Sequence, residues 1–138
     1  MLDHTDLIIP DVYDPDVLSA VRWIQEHLPF SDEDLARLIG VNTELFAQWK
    51  TGAQTLTDSQ TETLEDLSLA INRLLSFYGF RRDLMVTVLE FRSESPIQRS
   101  RFTPPWLGTS LKDYMLSHGA KGIAEVDDWL QKIRSASC

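Results

Sequence analysis

The stretch from Phe30 to Gly52, FSDEDLARLIGVNTELFAQWKTG, constrains the fold more than any other part of the chain. Ser31 and Asp34 form an S-x-x-D capping box, which predicts that a helix begins after Ser31. Gly40 can adopt the positive φ that a tight turn between two helices needs. Asn42 is a favoured cap for a second helix, which Gly52 ends. We therefore predict a helix-turn-helix in this stretch.

Both predicted helices have one apolar face. In the first helix, Leu35, Leu38 and Ile39 recur at the i, i+3, i+4 spacing of an amphipathic helix. In the second helix, Phe46 and Trp49 lie three residues apart on the side that we expect to be buried. The same pattern also fits a plain helical hairpin that has no role in reading DNA, and the residues alone leave this alternative open.

A longer helix is predicted after this motif. Thr57 and Gln60 match a second capping box, T-x-x-Q, and Gly79 marks the end of the helix. Its apolar stripe consists of Leu64, Leu67, Ile71, Leu74, Leu75 and Tyr78. Four turns of continuous apolar periodicity predict the longest helix of the chain and the spine of its fold.

The segment DLMVTVLEF, which follows Arg82, fits two kinds of secondary structure. Alternation of Leu84, Val86 and Val88 is typical of a strand. No second strand of similar quality is available to pair with it, and Met85 and Leu89 fit a helical spacing. We predict a helix here.

The remaining chain predicts small helical elements. Pro104 and Pro105 stop any preceding helix. Ser110 can cap a short helix, and a final amphipathic helix follows Gly122. The predicted fold class is all-α, with a helix-turn-helix N-terminal part, a long spine helix and a small helical C-terminal domain. The predicted domains are 1–56 and 57–138, either as one compact domain or as two helical subdomains that share a core.

The charge distribution bears on nucleic-acid binding. The 138 residues carry a formal net charge of −8, and residues 31–56 contain four acidic and two basic residues. Six basic and three acidic residues occur in 71–101. Because affinity for DNA depends mainly on cations that contact phosphates, any DNA binding would have to rely on dimerisation or on a partner.

Compartment and chemistry are constrained by what the sequence lacks. It has no signal-peptide pattern, no apolar run near the ~20 residues of a membrane span, and one cysteine, Cys138. His4, His27 and His118 are far apart and fit no metal-ligand spacing, and no nucleophile motif is present. We expect a cytoplasmic protein that is not an enzyme and uses no cofactor or metal, without association with membranes.

The helical pair resembles the Xre-type helix-turn-helix. That family has a small residue, a turn glycine four residues later and an aromatic residue nine beyond it, and Ala36, Gly40 and Trp49 occupy these positions. The resemblance implies that residues 42–52 form a recognition helix. The DNA-binding residues that it implies are Asn42, Thr43, Glu44, Gln48, Lys50 and Thr51.

The block PPWLGTSLKDYMLSHGAKGIAEVDDWLQKI resembles the toxin-binding domain of the MbcA/ParS/Xre antitoxins in a divergent form. In that family a proline-containing turn leads to an LGG-like step, a short helix and a G-x-x-x-V-x-x-x-L helix. Leu107 and Gly108 match the step, with Thr109 in place of the second glycine. Gly122 and Val126 match the start of the last helix. The two resemblances together cover roughly residues 31 to 135.

The family resemblance implies an antitoxin of a toxin–antitoxin system. Its partner would be a RES-type toxin that consumes NAD, and its C-terminal domain would cover the mouth of the toxin's active site. The partner-binding residues expected on this basis are Arg99, Arg101, Trp106, Leu107, Gly108, Lys112 and Tyr114. The helix-turn-helix would mediate formation of a homodimer and repress transcription of the chain's own operon.

Three alternatives remain open on the sequence. The first is a homodimeric DNA-binding transcriptional regulator with no toxin partner. The second is a degenerate helix-turn-helix with a purely architectural role, which the acidic balance of the motif favours. The third is a generic helical dimerisation domain at the C-terminal end.

Overall fold

A computed structural model of the protein describes residues 16–91 and 104–137. This part of the chain contains six helices: α1 (Val17–His27), α2 (Asp32–Ile39), α3 (Thr43–Lys50), α4 (Asp58–Phe77), α5 (Arg82–Glu90) and α6 (Leu111–Ser137). No strand occurs among the described residues. The predicted all-α fold class is therefore confirmed for them.

The caps predicted from short motifs are present in α2 and α3. The Ser31 side chain accepts a hydrogen bond from the Asp34 backbone, and the Asp34 side chain accepts one from the Ser31 backbone. Gly40 follows α2 with φ of 78°. Asn42 then caps α3 by accepting a hydrogen bond from the Leu45 N–H at 2.7 Å. Because each cap satisfies backbone donors that the helix leaves unpaired, these side chains define where both helices begin.

The predicted spine is α4, which has 20 residues and begins at a complete Thr57–Gln60 capping box. Its fully buried apolar residues are Leu64, Leu67, Ile71, Leu74 and Leu75. Both α1 and α6 pack against it. The helix ends where Gly79 and Phe80 adopt positive φ values of 70° and 60°.

The ambiguous segment after Arg82 is helical, as predicted. α5 buries Met85 and Leu89, which lie on one side of the helix. Leu84 is 38% exposed, although it would share a face with Val86 and Val88 in a strand. The helical spacing of the buried residues was thus the better predictor, because α5 packs against α4 and α6 rather than against another strand.

α6 is broken at Gly119, whose φ of 63° and ψ of −141° are not helical. The part before the break begins at Ser110, which accepts a hydrogen bond from the Asp113 N–H at 3.1 Å. The part after the break buries Ile123, Val126 and Leu130. The sequence predicted a short helix, a turn and a final helix here, and the kink falls at Gly119, the first of the two expected glycines.

One hydrophobic core includes residues from both predicted domains. Ile24 and Phe46, from the N-terminal part, belong to the same cluster as Leu74 and Val126. An ion pair between Lys112 and Asp34, with nitrogen and oxygen 3.0 Å apart, also joins α6 to α2. A domain boundary at residue 56 would therefore divide elements that share a core.

In the part of the chain that the structure describes, every helix is too short or too polar to cross a membrane.

Replacing Gly122 by alanine should destabilise the protein. An added Cβ would lie 2.6 Å from the His118 Cβ and 3.2 Å from the Tyr114 carbonyl oxygen, and the backbone holds both atoms in place. We expect Gly122→Ala to lower the free energy of unfolding by about 1–3 kcal/mol, measured by urea denaturation. Helix propensity alone predicts the opposite change, a gain of about 1 kcal/mol.

The matched background for this test is His118→Gly, which removes the closest atom. In the His118→Gly background, Gly122→Ala should lower the free energy of unfolding by a smaller amount. The difference between the two losses measures the contact directly. A Gly122→Ala chain that is as stable as the original would contradict the close approach across Gly119.

Candidate functional site

The first candidate site is the surface of α3, which a turn of three residues, 40–42, joins to α2. α2 packs against both α3 and α6. Phe46 is fully buried, and its ring lies 5.5 Å from the ring of Trp49. These contacts fix the orientation of α3 and leave its N-terminal residues towards solvent.

Lys50, the only cation of α3, is held by side chains of two other helices. Its Nζ lies 2.7 Å from Asp32 Oδ1 and 2.7 Å from Gln25 Oε1. Gln25 in turn donates to Asp32 Oδ1 at 2.8 Å. Arg22 donates from Nη2 to the Lys50 carbonyl oxygen at 3.0 Å. The lysine that we predicted to contact DNA is thus engaged within the protein.

Electrostatic interactions in this network favour the ionised form of Asp32. The hydrogen bond from Lys50 lowers the pKa of Asp32, and this effect outweighs the opposing effect of burial. The hydrogen bond from Gln25 lowers that pKa further. Asp32 therefore stays ionised beside the lysine, and the pair cancels a positive charge on the surface of α3.

The other predicted DNA-binding residues fall into two groups. Asn42 and Thr51 serve as caps, since Asn42 binds the Leu45 N–H and the Thr51 hydroxyl donates to the Gln48 carbonyl oxygen at 2.9 Å. Thr43 and Glu44 are exposed, and Gln48 is half-buried. The Gln48 amide lies 3.5 Å from the Glu44 carboxylate. Thr43, Glu44 and Gln48 are thus the members of the predicted set whose side chains neither cap α3 nor belong to the Lys50 network.

The second candidate site is the C-terminal segment, for which we predicted partner binding. Trp106 is buried, with its ring 4.8 Å from the ring of Trp129. Leu107 is half-buried, and Gly108 is exposed with φ of 93°. The turn therefore inserts its tryptophan into the protein and presents the following two residues at the surface.

Lys112 and Tyr114, two further predicted partner-binding residues, make contacts within the chain. Lys112 pairs with Asp34, and its Nζ lies 5.8 Å from the centre of the Phe30 ring. The buried Tyr114 hydroxyl donates to the Glu125 carboxylate. Burial and that hydrogen bond raise the pKa of Tyr114 to about 12, so the phenol remains protonated at neutral pH.

Two expected residues, Arg99 and Arg101, lie outside the described residues. The structure adds two residues that sequence reasoning missed, namely Gln25 and Asp32, which hold Lys50. No local motif marks these two, because their role depends on how three helices pack. The only signal in the sequence is that α3 carries one lysine within an acidic segment.

Among residues 16–91 and 104–137, no group of three or more His, Cys, Asp or Glu side chains could hold a metal ion. No protein-family model matches the chain, and a search of curated proteins finds no significant relative.

Removing the Lys50 ammonium should raise the pKa of Asp32. We expect the Asp32 carboxyl in a Lys50→Met variant to titrate at higher pH than in the original protein, as measured by the carbon NMR shift of the carboxyl group. Breaking the exposed Lys132–Asp128 pair with Lys132→Met should leave the Asp32 titration unchanged. An unchanged midpoint in Lys50→Met would contradict the ion pair.

The same pair predicts a direction for stability against pH. The folded pKa of Asp32 lies below its unfolded value of about 3.9, so its contribution is complete above that pH. The contribution is lost as pH falls through the folded pKa. The Lys50→Met variant should therefore lose less stability than the original chain on acidification below about pH 4.

Proposed function

We propose that this chain is an antitoxin-like interaction protein that binds and neutralises a RES-type, NAD-consuming toxin through its C-terminal segment. In this proposal the chain is a binding protein of the cytoplasm and performs no catalysis. α2, the Gly40 turn and α3 act as a helix-turn-helix that mediates a homodimer and represses the operon.

The order of elements in the C-terminal segment is the observation that carries this proposal. The toxin-binding resemblance implies a proline-containing turn, a short helix and a last helix. The structure has a turn at 105–108, a helix that begins at Leu111 after the Ser110 cap, and a break at Gly119 before the final helical part. Agreement in three successive boundaries supports the resemblance more strongly than the matched residues do alone.

The charges near α3 favour protein binding over DNA binding as the main activity. Asp32 neutralises Lys50, Asp34 is paired with Lys112, and the first turn of α2 adds the negative charge of Glu33. Since DNA affinity comes largely from cations that replace counterions at phosphates, this surface offers little sequence-independent attraction. A basic protein, by contrast, would be attracted to an acidic chain over long distances.

A homodimeric DNA-binding regulator without a toxin is the second candidate. The exposed side chains of Thr43 and Glu44 and the amide of Gln48 favour it, since they lie at the start and middle of α3. Glutamine can bind adenine through two hydrogen bonds in the major groove. In this case the C-terminal segment would serve dimerisation alone.

Neutralisation in cells tests the first proposal. Expression of the RES-type protein encoded in the same genome should deplete NAD and arrest growth, and co-expression of this chain should restore both. Leu107→Asp places a charge on the presented turn and should weaken binding at least about tenfold, which corresponds to about 1.4 kcal/mol.

Gln48→Ala is the matched control because it alters α3 and leaves the turn intact, and it should neutralise fully. Both variants must show the original unfolding transition by circular dichroism. Full rescue by Leu107→Asp, or loss of rescue in Gln48→Ala, would contradict binding through the C-terminal segment.

Release of Lys50 tests the DNA-binding role of α3. Asp32→Asn removes a negative charge and frees the ammonium, so it should tighten binding to the DNA upstream of the gene. The slope of log affinity against log salt should increase by about one, as measured by fluorescence anisotropy. Gln48→Ala should weaken sequence-selective binding by about 1–3 kcal/mol. Unchanged DNA affinity in Asp32→Asn would mean that α3 does not approach phosphates.

A further inference from the structure

A groove of about 210 Å³ runs between α4 and the part of α6 that follows Gly119. Its lining consists of Asp66, Leu69, Arg73, Ile123, Ala124 and Asp127. Ile123 is buried and forms the apolar floor, whereas Ala124 is exposed. The groove therefore combines an apolar base with carboxylates from both helices.

The α4 side of the groove belongs to a face of alternating charged and apolar residues that no described element covers completely. Asp66, Leu69, Arg73 and Phe77 follow one another at i, i+3, i+7 and i+11, so they lie on one face of the helix. Leu69 is 37% exposed and Phe77 is 40% exposed. From Asp66 to Phe77 this face is about 16 Å long, which suits a bound segment of about three helical turns.

Negative charge at the groove exceeds positive charge. Arg73 is the only cation among the lining residues, and it is paired with Asp127 Oδ2. The other oxygen, Asp127 Oδ1, is buried and accepts no hydrogen bond from the described residues. Burial raises the pKa of Asp66, and the nearby carboxylates of Glu62, Glu65 and Asp127 raise it further. A cation bound beside Asp66 would relieve this repulsion.

Aromatic contacts connect this groove to the turn that we expect to bind the toxin. The Phe77 ring lies 6.4 Å from the Trp129 ring, which in turn lies 4.8 Å from the Trp106 ring. Leu107 and Gly108 follow Trp106 directly. The turn therefore lies near Phe77, at the C-terminal end of the α4 face that lines the groove.

We propose that the α4–α6 groove binds a segment of a partner protein in which lysine or arginine side chains flank leucine-sized apolar ones. This inference rests on the proposed function in so far as the partner is the toxin. The apolar side chains pack on the exposed parts of Leu69 and Phe77, and a cation of the segment lies beside Asp66. A second copy of this chain fits less well, because each chain carries a net charge of −8.

A synthetic peptide tests the groove without the toxin. The probe is an acetylated and amidated helix of 12 residues, about 18 Å long, composed of leucine and lysine, and its matched control has glutamate in place of lysine. We expect the lysine peptide to shift the amide NMR signals of residues 66–77 and 123–127 in the full chain. The glutamate peptide should leave these signals unchanged.

Variants separate groove binding from general attraction between opposite charges. Leu69→Ser and Asp66→Asn should each raise the dissociation constant of the lysine peptide about tenfold. Glu26→Gln removes one exposed carboxylate from α1 and should change that constant less than twofold. Absence of binding, signal shifts spread over all acidic surfaces, or equal effects of Asp66→Asn and Glu26→Gln would overturn the proposal.

Two further outcomes are distinguishable. Sedimentation of the chain without peptide reports self-association, and a dimer that Leu69→Ser dissociates would mean that a second copy occupies the groove, which also overturns the proposal. If the Leu69→Ser and Asp66→Asn variants neutralise the toxin fully, the groove does not take part in toxin binding. The proposed function would then be unaffected. Peptide binding in the groove without any toxin neutralisation would support the groove and contradict the proposed function.

Discussion

Burial of the apolar face of α4 is the interaction on which the other elements depend. Leu67, Ile71 and Leu74 are completely buried, and full burial of one such side chain contributes about 1.5–3 kcal/mol. α1 and α6 pack on this helix from different parts of the sequence. Their docking brings Lys112 to Asp34 and so connects the C-terminal segment with the α2–α3 pair. Both candidate sites are thus held in place by one core.

Features that depend on a few neighbouring residues could be predicted from the sequence. The caps at Ser31, Asn42 and Thr57 are all found, because each one is determined by side chains and backbone groups within one helical turn. α5 was harder to predict, since nine residues allow only a few repeats of either period. Its helical state is decided by packing against α4 and α6.

Features that depend on long-range packing could not be predicted. Lys50 lies 25 residues from Gln25 and 18 from Asp32, and no spacing rule relates positions so far apart. The network forms because α1, α2 and the end of α3 meet at one place. It changes the interpretation of Lys50 from a free cation that could contact phosphate to one half of an ion pair.

In the C-terminal segment, some residues that were expected to bind a partner are buried, and others lie at the surface. Trp106 and Tyr114 were expected to bind a partner, and both side chains are buried in the isolated chain. Tryptophan and tyrosine are enriched in interfaces as well as in cores, so composition alone does not separate the two roles. Substitutions at Trp106 and Tyr114 would test how the segment folds. A substitution at Leu107 would test contact between a partner and the surface of the segment.

The central claim is that a protein partner, rather than DNA, is the principal ligand. It is tested most directly by purifying the tagged chain from its native host at moderate salt and identifying what remains bound by mass spectrometry. We predict a RES-type protein in stoichiometric amount, which a Leu107→Asp chain fails to retain. Recovery of the homodimer alone, or of the homodimer with DNA and no second protein, would contradict the claim.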